Sequence, residues 1–544
     1  MTGADAPAPS RRRSRLRASG ASLASPPRPF HPLLFAAFPV LFLYASNVGQ
    51  QIDPADALTH LVILVGSAAL VATVGAVVLG DARRGALLAT LWLALFLVYG
   101  HAWNLVRAVG GVRLEAWLLV AWALLAVGAV VLAAAAGRWL SAATRGLNAA
   151  ALVLVVLNLA LLAAGAVGSG PAGVPVPGGA VVLRPRGDPP DIYYIVMDRY
   201  GGAETLRDRF GFDNSPFLRG LEERGFFVAP DSMANYPKTA HSLAASLNMT
   251  YLHFLTGVAG QASDDWNPVY DLLSGPRVSR SLQAAGYRYV HIGSRWDPTR
   301  VDPSADVNEV SSGMSEFAQV LYGSSLLSPL ARYTGILDES LDPRERERDR
   351  ILFQFDRVAA ARNLPGPTFV FAHLLLPHEP YLFETDGGEV TAAEEESRTL
   401  RQKFIGQVRY ANRRLVGLFD LLLDAPAARR PVILLQADEG PHPPGYLADE
   451  VHYDWTGASD ADLEGKFRIL NAYHLPGITD PDPAFPEPSP APLEPTITPV
   501  NSFRIVFNAY FDARLPLLPD RSYVFVDEEH LYDFVEVTGR LRAT

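Results

Sequence analysis

The sequence predicts two structural regions: an N-terminal five-helix transmembrane region and an α/β domain with a largely parallel central sheet covered by helices. Long apolar blocks fill residues 30–168, and strand-like and helix-like segments alternate from residue 191 onward. A Gly- and Pro-rich stretch separates the two. We therefore divide the 544-residue chain into a basic tail (1–29), a transmembrane region (30–168), a linker (169–190) and a soluble domain (191–544).

The N-terminal region contains five apolar blocks, each close to the ~20 residues that a helix needs to cross a bilayer. They cover residues 30–46, 60–79, 86–106, 115–136 and 147–167. One leading block could be a cleaved signal peptide, but five in series predict a multi-pass membrane protein.

Arginine placement predicts the orientation of these blocks. The tail "RRRSRLR" and the loops "DARRG" and "GRWLSAATRG" lie on one side, which the positive-inside rule makes cytoplasmic. Arg107 and Arg113, in a loop on the other side, are the exception. An odd number of crossings then makes the soluble domain extracytoplasmic.

Composition excludes several classes of function. The chain has no cysteine, which rules out disulfides, thiolate metal ligands and a cysteine nucleophile. The net charge is −10 although the N-terminal region is basic, so the soluble domain is strongly acidic and nucleic acid is excluded as a partner. Few charged residues interrupt the apolar blocks, which disfavours a transporter.

Four predicted strands of the soluble domain end in residues that bind metals. "DIYYIVMD" ends at Asp198, "YRYVHIGS" contains His291, "TFVFAHLLLPH" contains His373 and His378, and "PVILLQADEG" contains Asp438 and Glu439. Ligands gather at the carboxyl ends of parallel strands. A divalent cation (Mg²⁺, Mn²⁺ or Zn²⁺) between Asp198, Asp438 and Glu439 would relieve the repulsion between the adjacent carboxylates.

The segment "NYPKTAHSLAASLNM" supplies a candidate nucleophile. Pro237 breaks the preceding chain, and Thr239 lies at or near the start of the helix that follows. A plain helix cap is the alternative. A hydroxyl at this position faces backbone N–H groups that bind phosphate oxygens, and a nearby metal would activate it. Lys238, one of three lysines in the chain, either helps to hold an anion or is simply exposed.

These motifs resemble the alkaline phosphatase and sulfatase superfamily, especially its membrane-bound lipoteichoic acid synthases and phosphoethanolamine transferases. The resemblance covers residues 191 to about 475 and is carried by "YYIVMD", "NYPKTAHSLAASLN", "LLPHEPY" and "QADEG". It implies an alkaline phosphatase-like fold, a metal site of Asp198, Thr239 and Asp438, and Thr239 as the nucleophile.

The resemblance also implies roles for further residues. Glu439 stands where the family usually has a His ligand, His378 matches the His that contacts phosphate, and His291 is a weaker match for substrate binding. Residues 239–243 (TAHSL) lack the C/S-x-P-x-R pattern that sulfatases convert to formylglycine, which argues against sulfatase chemistry.

The sequence thus predicts a membrane-anchored, metal-dependent phosphoester or phosphodiester hydrolase or transferase of the phosphoglycerol or phosphoethanolamine transferase type. A membrane lipid is the expected donor, and an envelope polymer or glycan, or water, is the expected acceptor. The alternative, suggested by Glu439, is a catalytically lapsed binding or assembly module of the cell envelope.

Overall fold

The structure is a computed structural model that describes residues 26–47, 54–110, 114–168, 174, 176–311, 315–323, 325–327, 329–330, 343–424, 430–480 and 493–542. Most of the predicted basic tail, the beginning of the predicted linker and residues 481–492 of the Pro-dense segment 475–500 lie outside these described residues.

The N-terminal region consists of five apolar helices. They are α1 (His31–Ser46), α2 (Pro54–Leu79), α3 (Ala82–Gly110), α4 (Glu115–Ala135) and α5 (Leu140–Gly168). The last four are long and apolar enough to cross a membrane, whereas α1 has 16 residues. Large apolar side chains on their outer faces, such as Val62, Val77 and Leu124, are exposed, as expected for helices whose solvent is lipid.

The soluble domain is built on a seven-stranded sheet with the order β2-β7-β6-β1-β5-β3-β4. The strands are β1 (Ile192–Met197), β2 (Phe226–Val228), β3 (Arg288–Ile292), β4 (Val307–Glu309), β5 (Thr368–Leu374), β6 (Val432–Ala437) and β7 (Asn471–His474). Pairing is parallel from β6 to β4, whereas β7 runs antiparallel to β6 and β2. The predicted fold class, with its largely parallel sheet, is therefore confirmed.

Helices pack against this sheet, and a two-stranded hairpin follows near the C-terminus. The longer helices are α6 (Ala203–Phe210), α7 (Ser215–Glu222), α8 (Thr239–Asn248), α11 (Arg277–Ala284), α12 (Glu316–Gly323), α13 (Pro343–Ala361), α15 (Leu400–Leu423), α17 (Asp460–Phe467) and α18 (Ser502–Tyr510). The shorter ones are α9 (Thr256–Ala259), α10 (Asn267–Tyr270), α14 (Ala392–Ser397), α16 (Pro444–Ala448) and α19 (Thr538–Leu541). The hairpin pairs β8 (Tyr523–Val524) with β9 (Val535–Glu536).

The three central strands end at the same level. Met197, the last residue of β1, lies opposite both Leu374 of β5 and Ala437 of β6. All residues of these strands are buried, which explains their nearly continuous apolar sequences. Polar residues at or after these strand ends are consequently brought side by side.

An insertion between β4 and β5 connects the soluble domain to the membrane helices. Phe317 and Leu321 of α12 are buried against apolar residues of α1, α2 and α3. Beside them lies a polar group of four residues, here called the junction cluster: Asp56, His60, Ser315 and Tyr322. The insertion therefore docks the soluble domain on α1, α2 and α3.

Candidate metal centre and active-site pocket

Asp198, His373 and Asp438 form a compact buried group at the strand ends, here called the strand-end cluster. One potential ligand atom from each lies within 4.8 Å of the others. The Nε2 atom of His373 is 3.8 Å from Asp198 Oδ2 and 4.0 Å from Asp438 Oδ2. These separations are too long for hydrogen bonds. They are near the roughly 3.3 Å that separates ligand atoms in a tetrahedral site with ~2.0 Å bonds.

Backbone hydrogen bonds hold the Asp438 carboxylate and the end of β1 in place. Asp438 Oδ1 accepts from the N–H groups of Arg199, at 3.2 Å, and of Glu439, at 2.8 Å. The backbone N–H of Asp198 donates to the carbonyl of Leu374, at 3.0 Å, so the ends of β1 and β5 stay together. The cluster is thus held by the sheet itself rather than by mobile side chains.

A turn that precedes β4 orients the His373 ring. Nδ1 of His373 lies 3.0 Å from Thr299 Oγ1, and the tautomer protonated at Nδ1 points its Nε2 lone pair at the carboxylates. Nε2 of His291 lies 2.9 Å from the Thr299 carbonyl, and its Nδ1 lies 3.1 Å from the Tyr289 hydroxyl. His291 therefore anchors the turn and lies outside the pocket lining.

The cluster has the electrostatics of a cation site. Burial raises the pKa of the Asp198 carboxyl to about 7, although nearby Arg199 opposes the shift. Burial, with Asp198 and Glu439, raises the pKa of Asp438 well above its usual range. Burial lowers the pKa of His373 to about 3, so the ring is neutral. Among the described residues, neither Asp198 Oδ1 nor His373 Nε2 has a hydrogen-bond partner. Two carboxylates and a neutral imidazole thus fit a divalent cation.

Thr239 is the first residue of α8 and faces the strand-end cluster. Its side chain lowers the pKa of Asp438, against the larger effect of burial, and it lines the pocket together with Ala240. Lys238, in extended conformation, is the residue before the helix. The first N–H groups of α8 have no partner within the helix and are available to an anion beside the Thr239 hydroxyl.

Glu439 lies beside the strand-end cluster rather than in it. Its Oε1 is 2.7 Å from the ammonium nitrogen of Lys466, a fully buried lysine. The same ammonium lies 2.6 Å from His442 Nδ1 and donates to the Gly440 carbonyl at 3.1 Å. A Cβ on Gly440 would lie 2.4 Å from the Gly465 carbonyl oxygen, so this close approach requires glycine. The second carboxylate of the "DE" pair is therefore balanced by a lysine.

The cluster opens into a cavity of about 290 Å³ with aromatic and charged walls. Its lining includes Arg199, Lys238, Trp266, Tyr270, Arg295, Trp296, His378, Glu439, His442, Glu450 and Glu528. The Lys238 ammonium is 2.8 Å from a Glu528 carboxylate oxygen and also contacts the Tyr446 hydroxyl, so it is already paired. His378 lies on the wall, and burial, together with nearby Arg199, lowers the pKa of its ring well below the usual value.

The structure brings together most of the predicted site residues and adds several that sequence reasoning did not place. Asp198, Lys238, Thr239, His378 and Glu439 line the cavity, and Asp438 lies directly behind it. The additional residues are Arg199, Arg295 and Lys466, and His373, which the sequence places at a strand end without a specific role, joins the cluster. A histidine inside the apolar run "FVFAHLLL" and a lysine in a chain with three of them were the signals available.

The fold and the site define a class: α/β proteins with a cluster of potential metal ligands at the strand ends, here joined to a set of apolar helices. The family model for sulfatases matches residues 190–469, so the chain belongs to the sulfatase family. No curated protein matches the sequence.

Several solved structures are similar to this chain at low sequence identity. The C-terminal periplasmic domain of EcEptC from Escherichia coli, in complex with Zn, is 10% identical, with 66% of this chain and 96% of that chain covered and a TM-score of 0.42. The integral membrane lipooligosaccharide phosphoethanolamine transferase A from Neisseria meningitidis is 13% identical, with coverages of 81% and 88% and a TM-score of 0.36. The phosphonate monoester hydrolase of Agrobacterium radiobacter is 12% identical, with coverages of 62% and 80% and a TM-score of 0.38.

Proposed function

We propose that the protein is a membrane-anchored, metal-dependent phosphoester or phosphodiester hydrolase or transferase that uses Thr239 as its nucleophile. The observation that carries this proposal is the position of Thr239. It is the first residue of α8 and lines the cavity beside a buried group of two carboxylates and a neutral imidazole. Residues 239–243 do not contain the formylglycine pattern, so phosphoryl rather than sulfuryl chemistry is favoured.

In this proposal Asp198, His373 and Asp438 hold one divalent cation. The cation supplies Lewis-acid stabilisation of the negative charge that develops on the substrate. The Thr239 oxygen attacks phosphorus, an O–P bond forms, and the bond from phosphorus to the leaving group breaks. The Asp438 carboxylate, whose pKa the Thr239 side chain influences, accepts the proton of the hydroxyl. The N–H groups at the start of α8 and the His378 ring are placed to contact phosphoryl oxygens. Water or an acceptor alcohol then attacks the phosphothreonine, which restores the Thr239 hydroxyl.

The position of the cavity relative to the membrane helices supports a lipid head group as the donor. Arg295 and Trp296 line the cavity, and the chain continues through the turn Asp297–Thr299 to Arg300. Arg300 interacts electrostatically with Asp56, in the first turn of α2. The cavity wall and the membrane helix are thus only a few residues apart along this path. A phospholipid head group at the membrane surface is within reach of such a site.

The alternative of a catalytically lapsed protein depends on Glu439 standing in place of the usual His ligand. Two observations argue against it. Lys466 balances the Glu439 carboxylate, and His373 supplies the imidazole that the strand-end cluster needs. The departure from the family pattern at position 439 therefore leaves a complete set of potential ligands.

Head-group release from labelled phospholipids tests the proposal. The full-length protein in lipid nanodiscs is incubated with Mn²⁺, Mg²⁺ or Zn²⁺, and labelled head group is followed in water and on added acceptor alcohols. We expect release that requires a metal and Thr239. A folded, metal-loaded protein that releases no head group from any phospholipid class would refute the lipid donor.

We also propose that the N-terminus is cytoplasmic and the soluble domain extracytoplasmic. A reporter that is active only outside the cytoplasm, fused after Pro190, should be active. Reporter activity restricted to the cytoplasm would overturn this orientation.

A further inference from the structure

Arg199, next to Asp198, has a backbone conformation that L residues rarely adopt. Its φ is +62°, in the left-handed region. The N–H of Arg199 donates to Asp438 Oδ1, and a glycine would supply the same N–H without strain. The strained backbone at this position therefore suggests that the arginine side chain has a role.

The Arg199 guanidinium lies between the strand-end cluster and the cavity mouth. Its Nη1 bonds both Glu379 carboxylate oxygens, at 2.7 and 2.8 Å. On the other side its Nε is 3.6 Å from Glu439 Oε1 and 3.9 Å from Asp198 Oδ1. Among the described residues this buried Nε has no hydrogen-bond partner. The guanidinium thus lines the cavity and has at least one N–H group, at Nε, that can still donate a hydrogen bond.

The Glu379 carboxylate is the more exposed partner of this ion pair and can move outward. Its side chain is 48% exposed, against 18% for Arg199. A guanidinium that binds two oxygens of one carboxylate can bind two oxygens of a tetrahedral oxyanion instead.

The charge balance of the site also calls for a positively charged side chain to bind an anionic substrate. Asp198, Asp438 and Glu439 bring three negative charges, of which Lys466 balances one. A divalent cation balances the other two. Arg199, once released from Glu379, is then a positive charge available to an anionic substrate.

We propose that the Arg199 guanidinium binds the tetrahedral oxyanion of the substrate and that the Glu379 carboxylate occupies this position when no substrate is bound. The inference rests on the proposed function and adds a residue to its substrate site. Glu379 acts as an internal competitor that weakens the binding of product phosphate as well as of substrate.

Titration with inorganic phosphate tests the proposal, on full-length protein in detergent with Mn²⁺ at a fixed saturating concentration. Arg199→Gly removes the guanidinium and relieves the backbone strain. The matched control is Arg514→Gly, because Arg514 is also an arginine at positive φ, +50°, that contacts a carboxylate, Asp512. Its side chain is 84% exposed and lies outside the cavity lining.

We expect Arg199→Gly to raise the Kd for phosphate on the order of 10- to 100-fold, the usual cost of a charge-assisted bidentate contact. Arg514→Gly should bind like the wild type. Arg199→Lys should be intermediate, since it keeps the charge but not the planar geometry. In turnover, Arg199→Gly should raise KM as well as lower kcat. Unchanged phosphate affinity in Arg199→Gly, or equal losses in both glycine variants, would overturn the proposal.

Glu379→Gln tests the internal competitor and leaves Arg199 in place. Removing the competing charge should tighten phosphate binding by about threefold or more, because a larger fraction of the protein is ready to bind. Unchanged or weaker binding would refute the role of Glu379.

These experiments separate this inference from the proposed reaction. Arg199-dependent phosphate binding without any head-group release would refute the reaction and support the anion-binding role. Head-group release with normal phosphate affinity in Arg199→Gly would support the reaction and refute the role of Arg199. A wild-type protein that binds no phosphate would also refute the anion-binding role of Arg199.

Discussion

Two polar groups in this molecule each bring an aspartate close to a histidine but differ in how their hydrogen bonds are satisfied. In the junction cluster, Asp56 Oδ1 is 3.3 Å from His60 Nε2, and its Oδ2 accepts from Ser315. The other ring nitrogen of His60 lies 3.2 Å from the Tyr322 hydroxyl. In the strand-end cluster, the corresponding Asp–His separations are 3.8 and 4.0 Å. The polar atoms of the junction cluster pair with one another, whereas those of the strand-end cluster are too far apart to do so.

This difference shows how a structural polar group can be distinguished from a binding site. Buried polar atoms are nearly always paired, because an unpaired one costs free energy. A chain that keeps a carboxylate oxygen and an imidazole nitrogen unpaired within 4.8 Å of each other therefore indicates a ligand that pairs both. The predictions below test this contrast, from the largest expected effect to the smallest.

The largest effect is expected for Thr239→Ala. Loss of the nucleophile should lower turnover by roughly 10³-fold or more while folding and metal content remain, because Asp198, His373 and Asp438 are intact. Thr239→Ser should keep part of the activity, since only a methyl group is lost. Head-group release and metal analysis check both variants.

Ser242→Ala is the control on the same helix. Its hydroxyl donates to the Tyr236 carbonyl at 2.8 Å and does not line the cavity, so its loss should leave turnover within a few-fold of normal. If Thr239→Ala instead retains near-normal turnover, Thr239 is only a helix-start residue.

The next prediction compares His373 with Glu439 as sources of the third ligand. His373→Ala should weaken Mn²⁺ binding by about 100-fold or more. Loss of a residue that only orients a metal ligand weakens binding by roughly 10- to 100-fold, and loss of the ligand itself should cost at least as much. Glu439→Gln should change it by less than about tenfold, because its carboxylate is paired with Lys466. Metal titration of the purified variants shows which of the two residues is the third ligand. The reverse order of effects would make Glu439 the ligand, as the sequence predicts.

Metal binding should depend on pH in a defined direction. In the metal-free protein the pKa of Asp198 rises from 3.8 to about 7, mainly through burial. This group therefore stabilises the fold at low pH, and that contribution is lost as the pH rises through about 7. Because a cation must displace the proton, the increase in Tm produced by Mn²⁺ should be large at pH 8 and small near pH 5.

Thermal unfolding across this pH range, with and without Mn²⁺, measures the effect. A metal-induced shift that is constant from pH 5 to pH 8 would show that the cation does not replace protons on these carboxylates.

The smallest effect is expected at the junction cluster. Tyr322→Phe removes one partly buried hydrogen bond to His60, which is worth about 1 kcal/mol. Metal affinity should be unchanged, because the junction cluster is complete in itself. Thermal unfolding and metal titration of this variant check both statements, and a loss of metal binding would remove the distinction between the two clusters.

Much of the site could be predicted from the sequence because local patterns determine it. Asp198 and Asp438 follow apolar strands, and strands in one parallel sheet end at the same edge. Thr239 follows a proline-containing segment that precedes a helix, and the helix begins at that residue. The buried central strands and the long helices have continuous or periodic apolar patterns, which explains why the fold class could be predicted.

The remaining features depend on contacts between distant parts of the chain. His373 faces the carboxylates because Thr299, 74 residues earlier, contacts its ring. Lys466 balances Glu439 only because the chain returns to pass against Gly440. The edge strands β2 and β4 have three residues each, too few for a periodic signal, and β7 has four. No pattern within a short window of sequence contains this information.

Anomalous diffraction from crystals grown with Mn²⁺ would test the central claim most directly. The account predicts one strong anomalous peak per chain, with Asp198, Asp438 and His373 Nε2 at about 2.0 to 2.3 Å from it. In the same crystals the junction cluster should show no peak. A peak ligated by Glu439 without His373, or no peak at the strand ends at saturating Mn²⁺, would contradict the account.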